Sequence, residues 1–405
     1  MRLALSLALL MGSLTPDQLW WLEDFREVPQ QGQGVVVAVI DTGIDASHPD
    51  LAGVVVGGTD LSGLGTPRGT SGVGPSAFHG TMVASLIAGQ GSEASGVLGA
   101  APGVELLSVS IGLGVPGADT DDQIAKGVIW AVDNGADIIN LSLTRNSPVW
   151  PRSWDEAFSY AFENGVVVVA AAGNRADGSG RPSAPATIPG VVSVGGVNRN
   201  LEPAEASVEG LNIAVVAPAE GLLGSYPSET YRTWDGSSAA APLVSGLLAR
   251  MLEKDPAATA NDLIARLISS AKDLGDPGVD AAYGFGLIQP ALAIDSTVTS
   301  EANPLGELAN WIELYRPSAT EDSSELVLPA TPKPQASNAE ALSASASLVP
   351  QSSLSARANG ELNPILYWLL VPLAPLLWFA LRRGRKVAGA LDKTKGKPQH
   401  DRSDN

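Results

Sequence analysis

Apolar and polar positions along this chain follow two kinds of pattern. Short, continuous apolar runs, such as residues 35–40, are typical of parallel strands that are buried on both faces. Between these runs, apolar residues recur at helical spacing, for example Met82, Val83, Leu86 and Ile87. The patterns predict strands at 35–41, 105–111, 137–141, 166–170, 191–197 and 212–217, and helices at 120–134, 154–163, 238–252 and 261–271.

Strands and helices that take turns in this way predict an α/β fold, with a mostly parallel buried sheet and helices on both faces. We assign this main domain to residues 35–296. Residues 16–34 form an N-terminal extension, in which 16–30 are expected to fold as a short amphipathic helix packed on the domain. Residues 53–76 are rich in Gly, Ser, Thr and Pro and are expected to form a surface loop.

The first residues and the residues after the main domain differ in character from it. Residues 1–15 have a basic start, an apolar run and then small residues, as signal peptides do; a buried helix or a retained anchor would share this pattern. Residues 297–363 are assigned to a disordered linker. From 317 onward they are rich in Ser, Ala, Pro and Glu, with few aromatic residues and no sustained period.

An uncharged run at 365–381 is followed at once by basic residues. Its 17 residues are near the lower limit for crossing a bilayer, and its two prolines would kink a helix. Positive charge directly after an apolar run marks the cytoplasmic side. We therefore predict a transmembrane helix at 364–381, a basic cytoplasmic tail at 382–405 and an extracellular main domain; the alternative is a hydrophobic hairpin docked on the protein.

The charge distribution agrees with this division. The last 24 residues carry eight basic and three acidic residues, a net charge of +5, so the rest of the chain carries −23 of a total of −18. The net negative charge argues against nucleic acid as a partner, because phosphate binding needs basic clusters. The chain has no cysteine, so a disulfide framework, a thiolate metal site and a cysteine nucleophile are excluded as well.

Candidate chemistry centres on residues 233–250, where small residues surround Ser237 and Ser238 before an apolar helical run. We take Ser238 as the candidate nucleophile and keep Ser237 as the alternative. A serine hydroxyl is a poor nucleophile unless a base takes its proton, and a carboxylate usually orients that base. The sequence must therefore supply a histidine and an acidic residue elsewhere.

The chain offers three histidines for the role of base. His400 lies in the charged C-terminal tail and His48 in a loop, which leaves His79, at the start of a predicted helix. Asp41 ends the first predicted strand, where active sites of open α/β sheets collect, and is the natural carboxylate. The plainer interpretations are a strand-end turn residue for Asp41 and a helix N-cap for His79.

Three blocks of sequence now show a resemblance to a known family. Residues 41–45 read Asp-Thr-Gly-Ile-Asp, residues 79–84 His-Gly-Thr-Met-Val-Ala, and residues 236–242 Gly-Ser-Ser-Ala-Ala-Ala-Pro. In this order they resemble the catalytic blocks of the subtilisin-like serine proteases, the subtilases, over residues 30–295. The resemblance implies a serine endopeptidase with a catalytic triad of Asp41, His79 and Ser238.

The same resemblance implies further site residues. Asn174 matches the oxyanion-hole asparagine of the family, although a turn-forming role would also fit it. Residues implied to bind the substrate are Ser142, Leu143, Ala172 and Gly173. No cofactor is expected. Calcium sites built from loop carboxylates occur in the family, but Asp45 and Asp50 are taken as loop residues and no metal site is expected. Thr144 stands where the family usually has glycine, and we expect it to narrow the substrate groove.

The layout of the whole chain is similar to that of the mycosins, membrane-anchored subtilases associated with type VII secretion. The shared features are the signal-like start, the absence of a long pro-domain, the linker, the C-terminal helix and the short basic tail. This resemblance implies a single-pass protein of the cell membrane that acts on protein or peptide substrates, with a type VII secretion complex as a partner. The alternative function is a structural component that stabilises such a complex, with proteolysis secondary.

Overall fold

The structure is a computed structural model that describes residues 20–92, 95–178 and 180–316. Its central element is a parallel sheet of seven strands in the order β2-β5-β1-β6-β7-β8-β9. The strands are β1 (Val36–Asp41), β2 (Val55–Asp60), β3 (Gln90–Ser92), β4 (Ser95–Leu98), β5 (Glu105–Ser110), β6 (Ile138–Leu141), β7 (Val167–Ala171), β8 (Val192–Val197), β9 (Val215–Pro218), β10 (Leu222–Tyr226) and β11 (Thr230–Trp234). Two antiparallel hairpins, β3–β4 and β10–β11, lie outside the large sheet.

Helices cover both faces of the sheet. They are α1 (Glu23–Arg26), α2 (His79–Ala88), α3 (Thr120–Asp133), α4 (Arg152–Glu163), α5 (Ser237–Lys254), α6 (Ala260–Ser269), α7 (Pro290–Asp295) and α8 (Leu308–Tyr315). Helices α2 and α5 pack on one face, and α3 and α4 pack on the other. This arrangement confirms the predicted α/β fold with a parallel sheet between two layers of helices.

Strand β1 shows why a continuous apolar run becomes a central strand. Successive side chains point to opposite faces of a sheet. Val37 and Val39 pack in the core under α2 and α5, whereas Ala38 and Ile40 pack in the core under α3 and α4. All four are at most 1% exposed, so an apolar residue is required at every position of the run.

The carboxyl end of β1 is where the functional side chains gather. All six strand pairs of the large sheet are parallel, so the strands end at a common edge. Asp41, the last residue of β1, lies level with Ser110, the last residue of β5. Loops that follow neighbouring strands therefore meet around Asp41.

The expectation of a loop throughout 53–76 is wrong for its first part. Strand β2 (Val55–Asp60) forms an edge of the sheet and pairs with β5. Its glycines are needed for close packing: a β carbon on Gly58 would overlap the carbonyl oxygens of Arg68 and Ser108. Glycine content that suggested a loop thus reflects the approach of a neighbouring backbone to an edge strand.

The hairpin β10–β11 was not predicted from the sequence, and it leads directly into α5. Its second strand is largely exposed, so it lacks the apolar alternation that marks a half-buried strand. The ring of Tyr226 stacks on Phe78, the residue before α2, with 5.1 Å between ring centroids. The hairpin therefore lies against the start of α2 and the start of α5, the two elements that carry His79 and Ser238.

The described part of the N-terminal extension, residues 20–34, packs on the domain, and its helical part is a 3-10 turn at Trp20–Leu22 followed by the single turn of α1. Arg250 on α5 is 5% exposed and donates from Nη1 to the carbonyl of Phe25 at 2.7 Å, and from Nε to the carbonyl of Ala100. Burial lowers the pKa of Arg250 to about 10. The carboxylate of Glu253 accepts from the amide of Gln31 at 2.6 Å. The second half of α5 thus holds the extension.

Residues 297–316 correct the predicted boundary of the linker. They are described in the structure, and they include α8, whose Leu308 is buried against the core under α4. The remaining part of the assigned linker, the signal-like segment 1–15, the transmembrane prediction at 364–381 and the tail 382–405 lie outside the described residues. Among the helices of residues 20–92, 95–178 and 180–316, none combines the length and apolar character needed to cross a membrane.

Candidate active site

Asp41 and His79 form a close polar pair at the carboxyl edge of the sheet. The Nδ1 atom of His79 lies 3.0 and 2.9 Å from the two carboxylate oxygens of Asp41. Asp41 is completely buried, and the His79 side chain is 17% exposed. The amide of Thr42 donates to Oδ1 of Asp41 at 2.6 Å. A carboxylate held in this way fixes the ring of His79 so that Nε2 is available for proton transfer.

The pKa of His79 reflects two opposing causes. Burial by itself lowers the pKa of the imidazole, but the charge of Asp41 and the hydrogen bond to it raise the pKa, and the raising effects prevail. An imidazolium that forms at His79 is therefore stabilised by Asp41. This is the behaviour that a general base needs when it accepts a proton from a hydroxyl.

Gly80 allows the first turn of α2 to pack closely against the end of β1. A β carbon at this position would overlap the carbonyl oxygen of Gly43 and lie 3.2 Å from Oδ1 of Asp41. The amide of Gly80 donates to the hydroxyl of Thr42 at 3.1 Å. The glycine after His79 therefore brings the imidazole within reach of the carboxylate.

The structure separates the roles of the two adjacent serines at the start of α5. Ser237 is completely buried, and its hydroxyl donates to the carbonyl of Gly173 at 3.0 Å and accepts from the Gly173 amide at 3.1 Å. Ser238 is half-buried and lines the same cavity as His79. The geometry therefore favours Ser238 over Ser237 as the nucleophile.

The hydroxyl of Ser238 has a definite partner in this structure. It donates to the main-chain carbonyl of Ser142 at 3.1 Å. Because a hydroxyl has one hydrogen, it must turn away from this carbonyl before it can donate to His79. Hydrogen bonds between catalytic groups are often long or misaligned before substrate binds, so this arrangement does not argue against the pair.

Asn174 lies after β7 and contacts the start of α5. Its Oδ1 accepts from the amide of Ser237 at 3.0 Å and lies 3.2 Å from the Ser237 hydroxyl oxygen. Because Oδ1 faces Ser237, the Nδ2 donor is on the opposite side of the amide, and Asn174 lines the cavity. Gly236, with φ of 116°, makes room: a β carbon there would lie 2.8 Å from Oδ1 of Asn174.

A cavity of about 360 Å³ brings most of the predicted site residues together. It adjoins a second cavity of about 320 Å³, since both contact Leu113, Leu143 and Thr144. The first cavity is lined by His79, Leu113, Gly114, Ser142, Leu143, Thr144, Asn146, Gly173, Asn174, Ser237 and Ser238. Asp41 lies behind His79 and is not part of the wall.

The predicted substrate-binding residues do not all reach this cavity. Ser142, Leu143 and Gly173 line it, but Ala172 is completely buried. The amide of Ala172 donates to the carbonyl of Val194 at 2.9 Å, and its carbonyl accepts from Ser183 at 3.1 Å. The main chain of Ala172 continues the internal pairing of β7, so the structure places this residue in the core. Thr144, Leu113 and Gly114 are wall residues in the groove itself.

A buried polar network that the sequence did not reveal joins β6 to α5. Ser245 donates to Oδ1 of Asn140 at 2.9 Å, and Nδ2 of Asn140 donates to the hydroxyl of Ser142 at 3.0 Å. The Ser142 hydroxyl in turn donates to the carbonyl of Ser238 at 3.0 Å. The network fixes the first turn of α5 against the groove wall. Asn140 in an otherwise apolar strand was the available sign.

Other polar candidates serve the fold. His48 is buried, accepts from the Asp50 amide at 3.2 Å and lies 3.3 Å from the carbonyl of Thr230, away from the cavity. The carboxylate of Asp50 accepts from Ser225 at 2.7 Å and from Val97 at 2.8 Å. Within the described residues, no group of three or more His, Cys, Asp or Glu side chains is arranged to hold a metal ion.

Comparison with known proteins identifies the class. Residues 32–286 match the model of the subtilase family, and the chain belongs to that family. It is a serine endopeptidase of the subtilisin type. It is 39% identical over 260 residues to subtilisin DY from Bacillus licheniformis, a match that covers 64% of this chain and 90% of subtilisin DY.

Two solved structures are similar to this one. Fervidolysin from Fervidobacterium pennivorans is 30% identical with a TM-score of 0.61, and the match covers 72% of this chain and 49% of that protein, so this chain spans about half of it. MycP1, solved with its N-terminal propeptide removed, is 29% identical with a TM-score of 0.58, and the match covers 72% of this chain and 98% of MycP1. The similarity to MycP1 supports the mycosin-like layout.

Proposed function

We propose that this subtilase cleaves proteins or peptides with Asp41, His79 and Ser238 as its catalytic triad. The observation that carries the proposal is the buried contact of both Asp41 oxygens with Nδ1 of His79, beside a cavity that His79 shares with Ser238. Asp41 ends β1, His79 begins α2 and Ser238 lies in the first turn of α5, and the shared cavity of His79 and Ser238 supports their assignment to one site.

In the proposed reaction, Ser238 Oγ attacks the peptide carbonyl carbon while Nε2 of His79 takes its proton. The tetrahedral intermediate collapses when the C–N bond breaks and His79 gives the proton to the leaving amine. A water molecule then attacks the acyl-enzyme, with His79 again as base, and restores Ser238. Asp41 holds the ring through Nδ1 and stabilises the imidazolium.

The negative oxygen of the intermediate needs hydrogen-bond donors. We assign this role to Nδ2 of Asn174 and to the amide of Ser238, one of the first-turn amides of α5 that have no partner within the helix. The bond from the Ser237 amide to Oδ1 of Asn174 supports the assignment, because it holds the Asn174 amide in the required orientation.

Replacement of Asn174 by aspartate is expected to lower kcat by about 10²–10³-fold with little change in KM. The aspartate side chain keeps an oxygen for the Ser237 amide but loses the Nδ2 donor. Steady-state kinetics on a peptide substrate measures the change, and thermal unfolding checks that the variant is folded. A folded variant with raised KM and unchanged kcat would show that Asn174 contacts the ground state instead.

We further propose that the peptidase is tethered to the cell membrane by residues 364–381, with the catalytic domain outside the cell. The uncharged run, the basic residues that follow it and the opposite charge of the rest of the chain support this topology. The similarity to MycP1 supports a mycosin-like role linked to protein secretion and a type VII secretion complex as partner.

Deletion of residues 364–405 is expected to move the protein from the membrane pellet to the soluble fraction. The full chain should resist extraction by alkaline carbonate, because a spanning helix is held by the hydrocarbon core. A matched deletion within the linker, such as residues 325–362, should leave the protein in the membrane. Recovery of the full chain in the soluble fraction would refute the tether.

A further inference from the structure

The C-terminal segment of the described chain, residues 297–316, ends against the loop at 142–151, whose first residues line the substrate groove. Helix α8 lies beyond the residues that match the subtilase family, 32–286. On α8, the ring of Trp311 packs against Trp150, with 4.4 Å between ring centroids. Trp150 is 6% exposed and belongs to the connection between β6 and α4.

Arg316, directly after α8, fastens this contact. Its Nη2 donates to the carbonyl of Trp150 at 2.8 Å, and its Nε lies 3.0 Å from Oδ2 of Asp155. The other oxygen of Asp155 accepts from Nε1 of Trp150 at 2.7 Å. Arg316 and Asp155 are only 12% and 13% exposed, so this closed set of charge-assisted bonds is poorly screened by solvent.

The loop held in this way, residues 142–151, begins with the groove wall. Ser142, Leu143 and Thr144 line the cavities, and Arg145 ties the near part of the loop to α3 by two bonds to Asp121, at 2.7 and 2.6 Å. Nη1 of Arg145 also donates to the carbonyl of Val149 at 2.5 Å.

Two consecutive carbonyls of the loop, those of Val149 and Trp150, are therefore each bound by an arginine. Arg145 belongs to the loop itself. Arg316 comes from the C-terminal segment, 166 residues further along the chain from Trp150. The middle of the loop is bonded to residues 184–187, with the Ala184 amide donating to the carbonyl of Ser147 at 2.7 Å and the Thr187 hydroxyl to that of Pro148 at 2.8 Å. The last carbonyl before α4 that a distant segment holds, that of Trp150, is bound by Arg316.

We infer that Arg316 is a positioning residue for substrate binding: by fastening Trp150 it holds loop 142–151, and with it Leu143 and Thr144, in the position that an extended peptide requires. The inference rests on the proposed function of the cavity. Arg316 contacts neither His79 nor Ser238 through any of its bonds described above. Its loss should weaken the binding of a long substrate and leave the reactivity of the serine intact.

The test compares three variants of the full chain: Arg316→Gln, Arg316→Lys and Arg266→Gln. Arg266 is the matched control, because it also ties the C-terminal segment to the domain, with Nε bound to the carbonyl of Val298 at 3.0 Å and Nη1 2.9 Å from Oδ2 of Asp255. Its partners lie outside loop 142–151, so its loss should affect stability without affecting the groove.

For Arg316→Gln we expect KM for a peptide of about eight residues to rise about tenfold with kcat nearly unchanged. The rate of Ser238 labelling by a small fluorophosphonate should stay within about twofold of wild type. Arg316→Lys keeps the charge and should restore part of the lost affinity. Arg266→Gln should lower Tm while the ratio of peptide turnover to labelling stays at the wild-type value.

Hydrogen–deuterium exchange on the Ser238→Ala background gives a readout that does not depend on catalysis. Compared with the Ser238→Ala parent, the amides of residues 143–150 should exchange about tenfold faster when Arg316→Gln is added and at the same rate when Arg266→Gln is added. Equal effects of the two substitutions on KM and exchange would overturn the inference. Absence of labelling in folded wild type would instead overturn the proposed function while leaving the exchange result valid. Should Arg316→Gln fail to fold, Asp155→Asn removes the same ion pair and faces the same criteria.

Discussion

Replacement of Ser238 by alanine is expected to lower kcat for peptide hydrolysis by about six orders of magnitude. The variant lacks the oxygen that forms the acyl-enzyme, so only binding and the oxyanion donors remain. Because Ser238 is half-buried and the substitution removes the hydroxyl bond to the carbonyl of Ser142, Tm should change little. Turnover of a fluorogenic peptide, with active-site titration to exclude traces of wild type, measures the effect.

Ser237→Ala is the matched control for this prediction, because it removes a hydroxyl from the adjacent residue. Ser237 bonds to Gly173 and Asn174, and its loss should lower stability and slow turnover, but the variant must still form an acyl-enzyme at Ser238. If Ser237→Ala abolished acylation and Ser238→Ala retained it, the assignment of the nucleophile would be wrong.

Replacement of Asp41 by asparagine is expected to lower kcat by about 10⁴-fold and to move the acid limb of the pH profile. The asparagine amide can still accept from the amide of Thr42, but it cannot hold His79 in the required tautomer or stabilise its charged form. The loss should appear in kcat more than in KM, because the interaction strengthens as the imidazolium forms.

The direction of the pH shift follows from the causes that act on His79. In the wild type, Asp41 raises the pKa of His79 above the ordinary histidine value of about 6.5 against the lowering effect of burial. The base works in its neutral form, so activity is lost as pH falls through this raised pKa. In Asp41→Asn only the lowering effect remains, and the acid limb of kcat/KM should move to lower pH. An unchanged or higher limb would contradict the role of Asp41.

The Ser238→Ala chain also separates the two candidate roles in secretion. A protease function predicts that the variant fails to support secretion by cells that lack the wild-type protein. A variant that restores secretion as well as wild type, at equal protein level, would favour a structural role with proteolysis secondary.

The central strands, and the positions of Asp41 at the end of a strand and of His79 at the start of a helix, could be predicted from the sequence because they depend on local pattern. Strand β1 is apolar at every position, since both of its faces are covered, and Asp41 ends that run. The start of α2 at His79 follows from apolar residues at helical spacing. The carboxyl ends of parallel strands share one edge of the sheet. Asp41 and His79 meet at this edge.

Features set by contacts between distant segments could not be predicted. Gly58 looks like a loop residue because the backbone it packs against, at Arg68, is not evident from local pattern. Helix α8 was missed because only Leu308, Trp311 and Ile312 of its eight residues pack on the domain, and the elements they pack against are distant in sequence. The burial of Ala172 depends on pairing with β8, and the role of Asn140 depends on a side chain of α5. Neither partner is evident from the local sequence.

The most direct test of the triad is to label the folded full chain with a fluorophosphonate and to locate the adduct by mass spectrometry. We expect a single adduct on Ser238 that is absent in His79→Ala, because the hydroxyl reacts only when the imidazole takes its proton. An adduct on Ser237, or labelling of Ser238 that persists undiminished without His79, would contradict it.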